Sequence, residues 1–155
     1  MSASSHLLRR TLVHVLIVVG ALLASSAALA PSADAMTPGT RSHVIKIAAS
    51  KRGTPYRYGA TGPSAFDCSG FTRWVFAKVG RRIPRTSRAQ AAFAHHIRAA
   101  SRRTGDLVFF HSSGGRVYHV GIYAGGNTIW HAPHTGSWVH RERIWTRAVS
   151  YGRIR

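Results

Sequence analysis

Phe66-Asp67-Cys68-Ser69-Gly70-Phe71-Thr72-Arg73-Trp74-Val75-Phe76-Ala77-Lys78-Val79-Gly80 is the stretch that decides the fold. Phe71, Trp74, Val75 and Val79 recur at i, i+3, i+4 and i+8, the spacing of one helical face, and Gly80 follows as a stop. A helix is therefore expected from about Cys68 to Val79, with the chain's only cysteine in its first turn. The positive end of the helix macrodipole favours a thiolate there, which makes Cys68 a candidate nucleophile.

Outward from this helix the pattern has two halves. Upstream, Val44, Ile45, Ile47, Ala48 and Ala49 form a helical stripe within Ser42 to Lys51, closed by Gly53 and Pro55. A Gly/Pro-rich loop with Tyr56 and Tyr58 then leads to Cys68, and a short third helix is expected from Thr86 to His96. Downstream the period changes. Asp106 to Phe110, Tyr118 to Tyr123 and Asn127 to His131 are short and rich in β-branched or aromatic residues, separated by Gly114-Gly115 and Gly125-Gly126. They read as strands joined by tight turns, with two more expected within Trp138 to Trp145 and Ala148 to Ile154. Helices followed by an antiparallel meander define an α+β domain.

The first 35 residues read as a secretory signal: Arg9 and Arg10, an apolar run from Leu12 to Leu23, and the small-x-small site Ala33-Asp34-Ala35. Ala28-Leu29-Ala30 is a second candidate cleavage site, and retention as a membrane anchor is the competing reading. Residues 36–41 are expected as a short linker and 42–155 as one domain, since some 120 residues are too few for two. An exported chain with one cysteine has no internal disulfide, so the thiol calls for another purpose.

The formal charge is +18, or +17 once Arg9, Arg10 and Asp34 leave with the signal. This imbalance points to an anionic partner. For an exported protein, wall polymers and acidic lipid surfaces are candidates beside nucleic acid.

A cysteine nucleophile needs a base. His119 and His131 lie on strands that the Gly125-Gly126 turn would set side by side, so that one imidazole takes the thiol proton and the other orients it. A zinc site built from His111, His119, His131 and His134 is the alternative; it lacks a His-Glu-x-x-His spacing and a spare carboxylate base, so no metal and no cofactor are expected. Phe76, Phe109, Phe110, Tyr123, Trp74 and Trp130 read as core, and Trp138 and Trp145 as candidates for a substrate groove.

Six strings then occur in order: Gly53-Thr54-Pro55-Tyr56-Arg57-Tyr58-Gly59, Phe66-Asp67-Cys68-Ser69-Gly70-Phe71, Ile83-Pro84-Arg85-Thr86-Ser87-Arg88-Ala89-Gln90, Gly105-Asp106-Leu107-Val108-Phe109-Phe110, His119-Val120-Gly121-Ile122-Tyr123 and His131-Ala132-Pro133. With them the chain resembles the NlpC/P60 family of cell-wall cysteine peptidases. The resemblance implies a papain-like fold, its cysteine helix packed on an antiparallel sheet of about five to six strands. It implies an endopeptidase cutting peptidoglycan stem peptides, usually at the D-γ-glutamyl–diamino acid bond. Cys68 matches the nucleophile, His119 the base and His131 the orienting member. Tyr56 matches the tyrosine near the oxyanion site, with Tyr58 expected to pack, and Asp67 and Ser69 match positions near the stem-peptide terminus. For Asp67 an N-cap role is the other reading. Arg85 is a candidate partner for a stem-peptide carboxylate, or else a solvated arginine. Ala60 stands where the family often has a second glycine.

The expected protein is a secreted or wall-located monomer. Its partners are peptidoglycan and anionic wall polymers, with no role for nucleic acid and membrane contact only through the signal. A cysteine amidase or acyl hydrolase of other specificity, and a non-catalytic basic binding module, remain the alternatives.

Overall fold

In the computed structural model, residues 35–155 are described; the signal-peptide and anchor readings fall almost wholly outside them. Helix α1 spans Pro38–Ser50, with Thr37 capping the Thr40 N–H and proline in its first turn. Four residues of the expected linker, Pro38 to Arg41, thus belong to the helix, and Met36 is buried before it. The apolar stripe starts only at Val44, so its period gave no sign of the preceding turn. Val44 and Ala48 are buried, while Ile45, Ile47 and Ala49 are half-buried against the core.

Helix α2 spans Cys68–Ala77 and is capped by Asp67, whose carboxylate accepts the Gly70 N–H at 2.7 Å. Phe71, Val75 and Phe76 are fully buried, each contributing about 1.5–3 kcal/mol of hydrophobic stabilisation. Trp74 is half-buried beneath the Lys51 and Lys78 ammonium groups. Helix α3, Ser87–Phe93, is shorter than expected: the chain leaves it at Ala94, and His95–Ile97 form strand β1. Fully buried Gln90 ties α3 to α2, donating to the Ser69 and Pro84 carbonyls and accepting from Thr72 Oγ1.

Strands β2 (Leu107–His111), β3 (Val117–Gly125), β4 (Thr128–His131), β5 (His140–Arg143) and β6 (Val149–Arg153) complete an antiparallel six-stranded sheet in the order β1-β6-β2-β3-β4-β5. Only β2 to β5 form the expected meander. β6 returns to pair with β2, and β1 closes the edge beside it. Alternation sends Leu107, Phe109, Val120, Ile122 and Trp130 into the core that receives the helices. Val108, Phe110, Tyr123 and Ile129 form a second cluster with Tyr151.

Asp106 fastens the two halves. Its fully buried carboxylate accepts from Arg41 Nη1 at 2.9 Å, the Arg103 N–H at 2.7 Å, and Arg153 Nε and Nη2, both at 2.9 Å. One side chain therefore links α1, the start of β2 and the last strand.

Candidate active site

Cys68 sits where the loop meets α2. Asp67 leaves that loop in extended geometry and caps the helix, so the next residue is held in the first turn. The Gly70 Cα lies so close to the loop that a Cβ there would come within 2.1 Å of the Ala60 carbonyl oxygen, and the Asp67 N–H donates to that same carbonyl at 3.0 Å. Sulfur is half-buried, with the backbone of Val120 and the backbone and hydroxyl of Ser69 as the hydrogen-bonding groups that favour its thiolate. Val120 follows His119 on β3, so the thiol packs against the segment that carries the expected base.

Burial, followed by the Asp67 charge, raises the Cys68 pKa, and the hydrogen bonds from Val120 and Ser69 offset this only in part. The thiol is accordingly protonated at rest, contrary to what the first-turn position alone suggested.

A cleft of about 320 Å³ opens over Cys68, with Tyr56, Tyr58, Asp67, Ser69 and Arg85 in its walls. Tyr56 is half-buried and its pKa is raised by burial and then by the neighbouring Cys68 and Asp67, so it is a phenol donor. Tyr58, expected to pack, is 86 % exposed instead. Asp67 is the N-cap and more: it also accepts the Gly59 N–H at 3.0 Å and the guanidinium of Arg85. Arg85 meets both Asp67 oxygens and Ser69 Oγ, so its fork is committed within the chain rather than solvated.

The histidines come together through the β3–β4 turn. Gly126 and Asn127 both take positive φ, +55° and +58°, the conformation that suits a tight hairpin. His119 Nε2 and His131 Nδ1 lie 2.9 Å apart in a hydrogen bond. Both rings are buried, resting on Trp145 at 5.8 and 5.6 Å, and Trp145 itself stacks on Phe110 at 4.1 Å. Burial lowers the His119 pKa to about 4; burial and then the neighbouring His119, His140 and His134 lower that of His131 to about 3. Both are neutral imidazoles at physiological pH. His119 Nδ1 is the nitrogen left for a reacting group.

Beyond His131 stands a residue that sequence reasoning did not assign. Glu142 Oε2 is 3.0 Å from His131 Nε2, yet off the line of a hydrogen bond, leaving that buried nitrogen unpaired. His140 Nε2 is 3.5 Å from the same oxygen. The available signal was His140-Arg141-Glu142: on a strand, residues two apart share a face. Of the weighed zinc set, His111 is engaged elsewhere, with the Gly115 carbonyl and Ser150 Oγ.

A thiol in the first turn of a helix, beside an antiparallel sheet that carries paired imidazoles, defines the papain-like α+β class. Within it, the chain belongs to the NlpC/P60 family, whose pattern matches residues 53–152. A probable endopeptidase of Corynebacterium glutamicum is 45 % identical over 112 residues, 72 % of this chain and 51 % of that protein. The bifunctional muramidase/DL-endopeptidase CwlT of Bacillus subtilis is 36 % identical over 118 residues, 72 % of this chain and 36 % of that protein. Among solved structures, the peptidoglycan hydrolase RipB of Mycobacterium tuberculosis superposes with a TM-score of 0.67 at 32 % identity, over 76 % of this chain and 66 % of that one. The chain thus spans about half the length of the corynebacterial relative and about a third of the Bacillus one.

Proposed function

We propose that the protein is a secreted cysteine endopeptidase that hydrolyses peptidoglycan stem peptides, at the D-γ-glutamyl–diamino acid bond, with Cys68 as nucleophile. The observation that carries the reading is Cys68 at the start of α2, against the β3 segment whose His119 is hydrogen-bonded to His131. Family membership and the endopeptidase and peptidoglycan-hydrolase names of the relatives support the substrate class. The DL-endopeptidase relative supports the bond. The positive charge favours residence among anionic wall polymers.

With thiol and imidazole both neutral at rest, His119 acts as a general base during attack rather than as half of a preformed ion pair. In the productive tautomer His119 Nε2–H donates to His131 Nδ1, and Nδ1 takes the Sγ proton as sulfur bonds to the scissile carbonyl carbon. The Cys68 N–H and the Tyr56 hydroxyl stabilise the oxyanion. Collapse breaks the C–N bond, and His119 returns the proton to the departing amine. Water, deprotonated by His119, then cleaves the thioester and restores the thiol. His131 is a positioning residue in this scheme, and the Asp67–Arg85 pair holds the cleft wall.

Replacing Cys68 by alanine should lower release of stem-peptide fragments from purified walls by about 10³-fold or more, read by mass spectrometry, with the circular dichroism spectrum unchanged. Undiminished release would overturn the cysteine mechanism. Intact stem peptides in place of fragments beginning at the diamino acid would reassign the enzyme as an amidase.

A further inference from the structure

We propose that His131, His140 and Glu142 form a zinc site that switches the enzyme off by fixing the wrong histidine tautomer. All three lie on one face of the β4–β5 ladder: His131 and His140 are register partners, and Glu142 is two residues beyond His140. One ligand atom from each lies within 4.8 Å of the other two. Tetrahedral zinc with Zn–N and Zn–O bonds of about 2.0–2.2 Å places its ligand atoms about 3.3 Å apart. Here Glu142 Oε2 stands 3.0 Å from His131 Nε2 and 3.5 Å from His140 Nε2. Two imidazoles and a carboxylate suit zinc better than calcium or magnesium, which prefer all-oxygen shells.

Two further observations single out these atoms. His131 is fully buried, and its Nε2 has no aligned partner, an arrangement that metal coordination would satisfy. His140 Nδ1 lies 2.8 Å from the Trp138 carbonyl, so that Nδ1–H donates and Nε2 keeps its lone pair for the metal. The site is reachable: Glu142 is 45 % exposed, and a pocket of about 360 Å³ lined by His131, His140, Glu142 and His134 opens over it. Water or His134 completes the coordination.

The inhibition follows from the single proton shared by His119 Nε2 and His131 Nδ1. Catalysis needs that proton on His119, leaving Nδ1 as the base and Nε2–H on His131. Zinc on His131 Nε2 excludes a proton there, so His131 carries its proton on Nδ1 and donates to His119 Nε2. His119 then holds its own proton on Nδ1, facing the thiol with no lone pair to offer. One proton leaves His131 Nε2 and one arrives at His119 Nδ1, so none is gained or lost overall. Zinc binding is independent of the proposed peptidase reading; its inhibitory effect rests on that reading.

The test is calorimetric titration of ZnCl₂ into the Cys68→Ala protein, which removes the thiol as a competing ligand. One zinc per molecule is expected, with affinity at least about tenfold lower when His140→Ala is added, and likewise for His140→Gln as a gentler change. In the otherwise unaltered enzyme, His140→Ala should keep metal-free activity within about twofold and need at least about tenfold more zinc for half-inhibition. Cobalt(II) should give visible d–d bands without a thiolate charge-transfer band. Loss of zinc binding in Cys68→Ala would place the metal on the thiol and overturn the proposal, as would equal zinc affinity with and without His140. An inactive enzyme would defeat the peptidase reading yet leave the calorimetric result to decide the site.

Discussion

Two buried polar clusters, around Asp106 and around His131, obey opposite rules. At Asp106 both carboxylate oxygens are doubly bonded and the charge is compensated by two arginines, so nothing is left to react. At His131 one ring nitrogen is bonded to His119 while the other lies unpaired beside an off-line carboxylate. A saturated polar cluster holds a fold together, whereas an unsaturated one keeps a proton position open and is where chemistry is to be sought.

The sharpest separation comes from His119→Ala, which should cost about 10²–10⁴-fold in kcat/KM. Its stability should fall only modestly, by about 1–2 kcal/mol, because alanine vacates a buried, ring-packed imidazole but strands no charge. Asp106→Ala should do the reverse. It strands the buried Arg41 guanidinium and costs about 3–5 kcal/mol of stability, with the specific activity of the folded fraction unchanged. A large stability loss in the first or an intrinsic rate loss in the second would erase the distinction.

His131→Ala should lower kcat by about 10–100-fold with little change in KM, and His131→Asn, which still accepts from His119 Nε2–H, should recover part of the loss. A neutral His131→Ala would end its orienting role. The smallest effect is in pH. Both histidines titrate near 6.5 when unfolded but near 4 and 3 when folded, so above 6.5 neither state binds the proton and stability is complete. As pH falls through 6.5 toward 4, the unfolded chain gains protons that the fold refuses, and stability drops by up to about 1.4 kcal/mol per unit for each histidine. Urea midpoints at pH 7 and 5 measure this, and the slope should be shallower in His131→Ala. A flat profile would mean that the imidazoles are charged in the fold.

What could be read in the sequence was what depends on local periodicity. The Phe71/Trp74/Val75 stripe placed α2 and with it Cys68, and the Gly125-Gly126 turn paired the strands of His119 and His131. β1 escaped because His95-His96-Ile97 is a three-residue edge strand without apolar alternation, recognisable only by its partner β6. The start of α1 escaped because no apolar residue faces the core between the capping signal Thr37-Pro38 and Val44. Glu142 and the Arg85–Asp67 pair escaped for a different reason: the first is defined by cross-strand register and the second spans 18 residues through a folded loop. Local pattern carries no record of either.

The absence of a methyl group at Gly70 has a consequence for how such a domain can vary. Because helix and loop touch backbone to backbone there, with the Asp67 carboxylate bridging the Gly59 and Gly70 N–H groups, the gap beneath the nucleophile is set without help from the outer cleft wall. Neighbouring wall positions such as Tyr58, Ser87 and Tyr118 are therefore free to change the shape of what enters without moving the sulfur that would meet it. Specificity and reactivity are mechanically uncoupled at that one contact.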